Sequence, residues 1–182
     1  MTNFYTKNWF KIFLGLVVCF LIRLIPFRAP NIEPILAAQM PFAKAYGKLV
    51  AFAFAFISMA LYDVVSGQVG AWTLITALAY GFLGIWAAVF FKNRANNALN
   101  YAKFAVMGTL AFDIVTGLSI GPLFFNQPFV SAVTGQIPFT ALHLIGNVSF
   151  AMLLSPPLYR FAIGKSKVEA QPIIRIFKPR QA

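Results

Sequence analysis

Acidic residues are nearly missing from this chain, which carries four Asp and Glu against fifteen Lys and Arg in 182 residues. Charged residues of both signs make up only 10% of it, whereas an ordinary soluble domain carries about 25%. So sparse a set cannot clothe a water-facing surface. Cysteine occurs once, at Cys19, which excludes an intrachain disulfide. Histidine also occurs once, at His143, and no Cys/His metal spacing, Walker-type phosphate loop or dinucleotide fingerprint is present. The sequence therefore gives no sign of a resident cofactor or of its own ATP hydrolysis, and energy would have to come from partners or gradients.

What fills the chain is apolar. Hydrophobic residues make up 60%, Phe alone supplies 21 positions, and the mean hydropathy is +0.76. The apolar runs approach the roughly 20 residues that a bilayer-spanning helix needs. The expected fold is an all-α integral membrane protein with six transmembrane helices, near 9–27, 33–46, 48–66, 71–91, 101–118 and 138–160. The first run is followed by further spans and shows no small-residue cleavage site, so it reads as a retained helix. The second is short and carries Pro34 and Pro41, the pattern of a re-entrant, tilted or cavity-lining helix.

The formal charge of +11 would suggest nucleic acid in a soluble protein, but here it follows the spans. With six crossings every Lys and Arg except Arg23 and Arg28 falls on the side of the termini, which the positive-inside rule makes cytoplasmic. Five crossings would place Lys44, Lys48 and the 92–103 loop on conflicting sides. The expected organisation is a six-helix membrane domain over 1–163 and a basic cytoplasmic tail over 164–182, either lying near anionic lipid or disordered. The uncharged segment 119–137 is too apolar for a water-exposed linker and reads as a lid that folds back.

An internal repeat runs through the second half. Tyr62-Asp63-Val64-Val65-Ser66-Gly67 matches Phe112-Asp113-Ile114-Val115-Thr116-Gly117 at an offset of 50, and Thr73, Thr76 and Tyr80 match Thr140, His143 and Asn147 at an offset of 67. The third and fourth helices would thus be a parallel repeat of the fifth and sixth. The polar residues of each set recur at i, i+3 and i+7, on one helical face, so two related half-sites are expected near the outer ends of the spans.

Several roles are open to these residues. Asp63 and Asp113, costly in a membrane unless partnered, either cap the turns that follow them or touch substrate. Arg23, Arg28 and Glu33 either pair with one another or with the Asp residues, or hold an anionic substrate group, and His143 is either a ligand-binding or a satisfied core histidine. Trp72, Tyr80 and the Phe-rich lid offer stacking surface, and Gln136 lies in the lid. Gly117-Leu118-Ser119-Ile120-Gly121 matches G-x-S-x-G, but a nucleophile elbow needs a strand-to-helix turn and here the serine ends a helix, so no enzyme is expected. Gly15 and Cys19 form a small-x3-small pair on which another helix, from this chain or a partner, could approach closely.

Three stretches resemble the substrate-binding S components of energy-coupling factor (ECF) transporters. They are Pro30-Asn31-Ile32-Glu33-Pro34-Ile35-Leu36-Ala37, the Asp63-Val-Val-Ser-Gly turn followed by Trp72-Thr73, and Gly135-Gln136-Ile137-Pro138-Phe139-Thr140 together with Ser155-Pro156-Pro157-Leu158-Tyr159. The resemblance covers roughly 9–163. It implies a multi-pass subunit of a prokaryotic cell membrane that captures a vitamin or related micronutrient from outside. It also implies a coupling membrane subunit and two cytoplasmic ATPases as partners, besides lipid and with no role for nucleic acid. The Ala-x3-Ala contact motif common on the first helix of that family is here only Gly15-x3-Cys19. An accessory membrane protein without a small ligand and a proton-coupled secondary transporter are the competing readings.

Overall fold

A computed structural model describes residues 2–26 and 33–163. Arg28, Pro30-Asn31-Ile32 and the basic tail 164–182 lie outside the described residues. The rest is helical, with no strand among the described residues: α1 (Thr2–Arg23), α2 (Ile35–Tyr46), α3 (Lys48–Val65), α4 (Ala71–Phe91), α5 (Ala98–Gly117), α6 (Ile120–Phe124) and α7 (Phe129–Ile163). Four stretches are long and apolar enough to cross a membrane: Lys48–Val65, Ala71–Phe91, Ala98–Phe124 and Phe129–Ala162. Large apolar side chains cover the outside of the bundle, among them Leu49, Val64, Phe82, Ile145 and Leu153, as lipid contact demands and water would not tolerate.

α2 sits at the centre. Its twelve residues extend only about 18 Å at 1.5 Å per residue, and Ile35 through Ala43 are all buried by α3, α4 and α7, with α1 and α5 touching it less. Pro41 inside α2 has no N–H to give the carbonyl of Ala37. The Ser155 hydroxyl of α7 donates to that carbonyl at 2.7 Å, so the proline's missing bond is replaced across the helix interface. Gln39 does similar work, its amide donating to the carbonyls of Tyr80 at 2.7 Å and Ala51 at 3.3 Å. Gly84 of α4 lets the backbones meet there, since a Cβ would strike Gln39 and Ala51.

The turns follow local chemistry. Gly47, at φ 89° and ψ −172°, occupies a backbone region that essentially only glycine enters, and it reverses the chain between α2 and α3 in one residue. α3 ends in a Schellman motif, with Gly67 left-handed at φ 68° and bonds from Gln68 N–H to the Asp63 carbonyl and from Gly67 N–H to the Val64 carbonyl. Asn97 caps α5 by accepting from the Asn100 N–H at 2.9 Å.

One end of the bundle is basic. Lys11 donates to the carbonyls of Phe161 and Ala162, Lys44 to those of Phe91 and Arg94, and the Tyr46 hydroxyl to Ala162. These bonds draw the C-terminal ends of α2, α4 and α7 to the early part of α1. At the opposite end Arg23 joins α1 to the entry of α2 at Glu33 and to the C-terminal half of α3 at Ser58 and Tyr62.

The expected loop over 119–137 is not one. Residues 120–124 form α6, and the last helix begins at Phe129 rather than near 138, with Pro138 inside α7. At 35 residues α7 extends about 52 Å, well beyond the roughly 30 Å hydrocarbon thickness.

Candidate functional site

Opposite the basic end lies a cleft of about 370 Å³ walled by Glu33 of the α2 entry, Met59 of α3, Thr76 of α4, Phe112, Thr116 and Gly117 of α5, Ile120 and Gly121 of α6, and Gln136, Phe139 and His143 of α7. It falls in the size range of small-molecule sites. The walls mix apolar and aromatic surface with a few polar groups drawn from different elements.

His143 is the most deeply buried polar group of the lining. Its Nδ1 lies 2.7 Å from Oδ1 of Asp113, and both side chains are almost wholly enclosed, at 2% and 1% exposure. The rings of Phe112 and Phe139 stand edge-on to the imidazole at 5.9 and 5.8 Å and fix its plane. Oδ2 of Asp113 and Nε2 of His143 are buried and have no hydrogen-bond partner among the described residues. Such orphans are rare in folded proteins and cost about 1–3 kcal/mol each.

Gln136 donates to the Thr140 hydroxyl at 3.1 Å and lies against Gly117, where any Cβ would collide with its amide. Gly117 thus ends α5 without the left-handed backbone of Gly67, and its lack of a side chain makes room for Gln136. Glu33 is paired with Arg23 at 2.9 Å. The guanidinium stacks 3.9 Å over the Tyr62 ring and donates to the Ser58 carbonyl. Thr76 spends its hydroxyl on the carbonyls of Trp72 and Thr73, leaving its oxygen lone pairs and methyl for the cleft.

Of the residues singled out in the sequence, Glu33, Thr76, Gln136 and His143 line this cleft, and Asp113 and Thr140 stand behind His143 and Gln136. Tyr80 is buried one layer below, its ring 4.5 Å from Phe112, and Asn147 donates to Thr109 at 2.8 Å. Trp72 rests against Phe125 outside the lining. Asp63 accepts from the Thr73 hydroxyl at 2.6 Å, and Thr73 in turn accepts from the Gly70 N–H, so this carboxylate ties the α3–α4 turn to the start of α4 and is not in the cleft. Gly15 faces the Phe42 ring and Cys19 is buried. Ser119 donates back to the Val115 carbonyl, an ordinary helix-end bond.

Phe112, Phe139, Met59, Thr116 and Ile120 were missed. Among 21 Phe no single ring stands out, although Phe139 precedes His143 by four residues and shares its face. No three His, Cys, Asp or Glu side chains come together among the described residues in a way that would hold a metal ion.

A family model, the S component of ECF-type riboflavin transporters, matches residues 12–162. No curated protein and no solved structure matches the chain. With the match covering most of its length, the chain belongs to the S components of ECF-type transporters, a family of vitamin-uptake subunits and not of enzymes.

Proposed function

We propose that this chain captures riboflavin, or a compound with the same flat polar-edged ring, in the cleft beside His143 and from the extracellular face. The observation that carries the reading is the composition of that cleft: Phe112 and Phe139 supply aromatic surface, while Glu33, Thr76, Gln136 and His143 supply hydrogen-bonding edges. A fused ring system with carbonyls and ring nitrogens needs both. The match to the riboflavin-transporter family supports the substrate class.

The topology belongs to the same proposal. Six crossings with both termini cytoplasmic put the basic end of the bundle inside and the cleft outside, with the α2 entry, the α3–α4 turn and the α6 segment around its mouth. The 164–182 tail would lie on the cytoplasmic side near anionic lipid. A coupling membrane subunit and two cytoplasmic ATPases would supply the energy. Titrating purified protein with riboflavin and following quenching of flavin fluorescence tests the reading. Saturable quenching that weakens in Gln136→Ala supports it, and no quenching at micromolar protein refutes it.

The buried Asp113–His143 pair favours a second reading, a proton-coupled carrier, because intramembrane carboxylate–imidazole pairs serve proton relays. Substrate uptake in cells lacking every ECF ATPase would favour the carrier, and uptake that stops with their loss would favour the S component.

A further inference from the structure

The hydrogen bond between His143 and Asp113 restricts where protons can sit. If the pair holds no proton beyond the single N–H of neutral imidazole, that hydrogen must lie on Nδ1, facing the carboxylate, and Nε2 is a bare acceptor. If the pair holds one more, there are two arrangements: imidazolium with carboxylate, or neutral imidazole accepting from the carboxylic acid. In both of them Nε2 bears a hydrogen.

The first state carries a net negative charge and the second is neutral. An unbalanced charge at this depth is strongly disfavoured. The ionisable side chains on the packed elements around the pair are Arg23 of α1, Glu33 at the α2 entry, Tyr62 and Asp63 of α3 and Tyr80 of α4, while α6 has none. Arg23 is the one cation among them, and it is already committed to Glu33 and the Tyr62 ring. Among the described residues nothing else there balances a second carboxylate.

We propose that Asp113 and His143 share one proton, that His143 therefore presents an Nε2–H donor to the cleft, and that the captured molecule meets it with a hydrogen-bond acceptor, a carbonyl oxygen or an unprotonated ring nitrogen. His143 is the member of the pair that lines the cleft, and its Nε2, on the far side of the ring from Asp113, is buried with no hydrogen-bond partner among the described residues. Asp113 is a positioning residue. It fixes the ring and keeps the proton count, and the two Phe edges prevent the imidazole from turning away. The ligand half of this inference rests on the capture reading, whereas the shared proton is a property of the chain alone.

Because His143 is the sole histidine, protein labelled with [15N]histidine reports one imidazole. At neutral pH the expected spectrum has a hydrogen on Nε2, and a bare Nε2 overturns the proposal. Riboflavin is the probe for the second half. Bound riboflavin should shift the Nε2 resonance. His143→Gln keeps an N–H donor and should bind riboflavin within a few-fold of the wild type. The double variant Asp113→Asn/His143→Leu, which leaves no orphaned charge, should bind about ten- to a hundredfold more weakly. Bound riboflavin with an unmoved Nε2 resonance overturns the contact. If riboflavin does not bind at all, the capture reading fails, and the spectrum of the free protein still decides the shared proton.

Discussion

The two halves of the internal repeat carry the same residues into different uses. In the α3–α4 half, Asp63 accepts from Thr73, Gly67 closes a Schellman turn, and the carboxylate organises a loop. In the α5–α7 half, Asp113 has no counterpart of that loop. It reaches His143, one turn beyond Thr140, the residue that matches Thr73, while Gly117 makes room for Gln136 instead of reversing the chain. The capping role weighed for both carboxylates is therefore close to what Asp63 does, acting through Thr73 and not through the turn amides, whereas Asp113 backs the cleft. The duplicated sequence thus supplies one structural turn and one wall of the candidate cleft.

The largest expected effect that separates the halves is His143→Leu, which strips one partner from a buried pair and should lower stability by about 3–5 kcal/mol. Adding Asp113→Asn should recover much of that loss in a thermal or denaturant melt, and no recovery would mean that the pair is not the cause. Gly117→Ala should push the Gln136 amide out of place and weaken riboflavin binding about tenfold, roughly 1.4 kcal/mol, with little change in melting temperature. An unchanged affinity would remove Gln136 from the site.

Asp63→Ala should do the reverse, lowering stability by about 1 kcal/mol, as the loss of a helix cap does, while leaving riboflavin affinity as it was. A binding defect there would restore the symmetric two-site picture. The smallest effect is expected from Thr76→Ala, a loss of about threefold in affinity, at the low end of the range of one neutral hydrogen bond, because its hydroxyl already donates to the backbone of α4.

Much of this was legible in the sequence, for identifiable reasons. Apolar run length and the Lys/Arg distribution are one-dimensional signals, and they gave the helices and set the basic residues apart from Glu33 and the polar faces. The shortness and prolines of α2 marked it as a helix that does not face lipid. The register of the last helix was not legible, because Pro138 is as compatible with a helix start as with a bundle interior where neighbours satisfy freed carbonyls. The partner of Asp113 was hidden for a related reason: the repeat aligned Thr140 with Thr73, and only the packing of α7 on α5 selects His143 one turn later. Ser155, met as part of a family-like Ser-Pro-Pro stretch, took its meaning from Pro41, which is 114 positions away.

Native mass spectrometry of gently purified protein, with the released small molecules identified after denaturation, tests the central claim most directly. The account predicts one flavin per chain, lost from a Gly117→Ala/Gln136→Ala variant that melts like the wild type. Protein that emerges empty, and whose melting temperature does not move with riboflavin or any other vitamin, would contradict it.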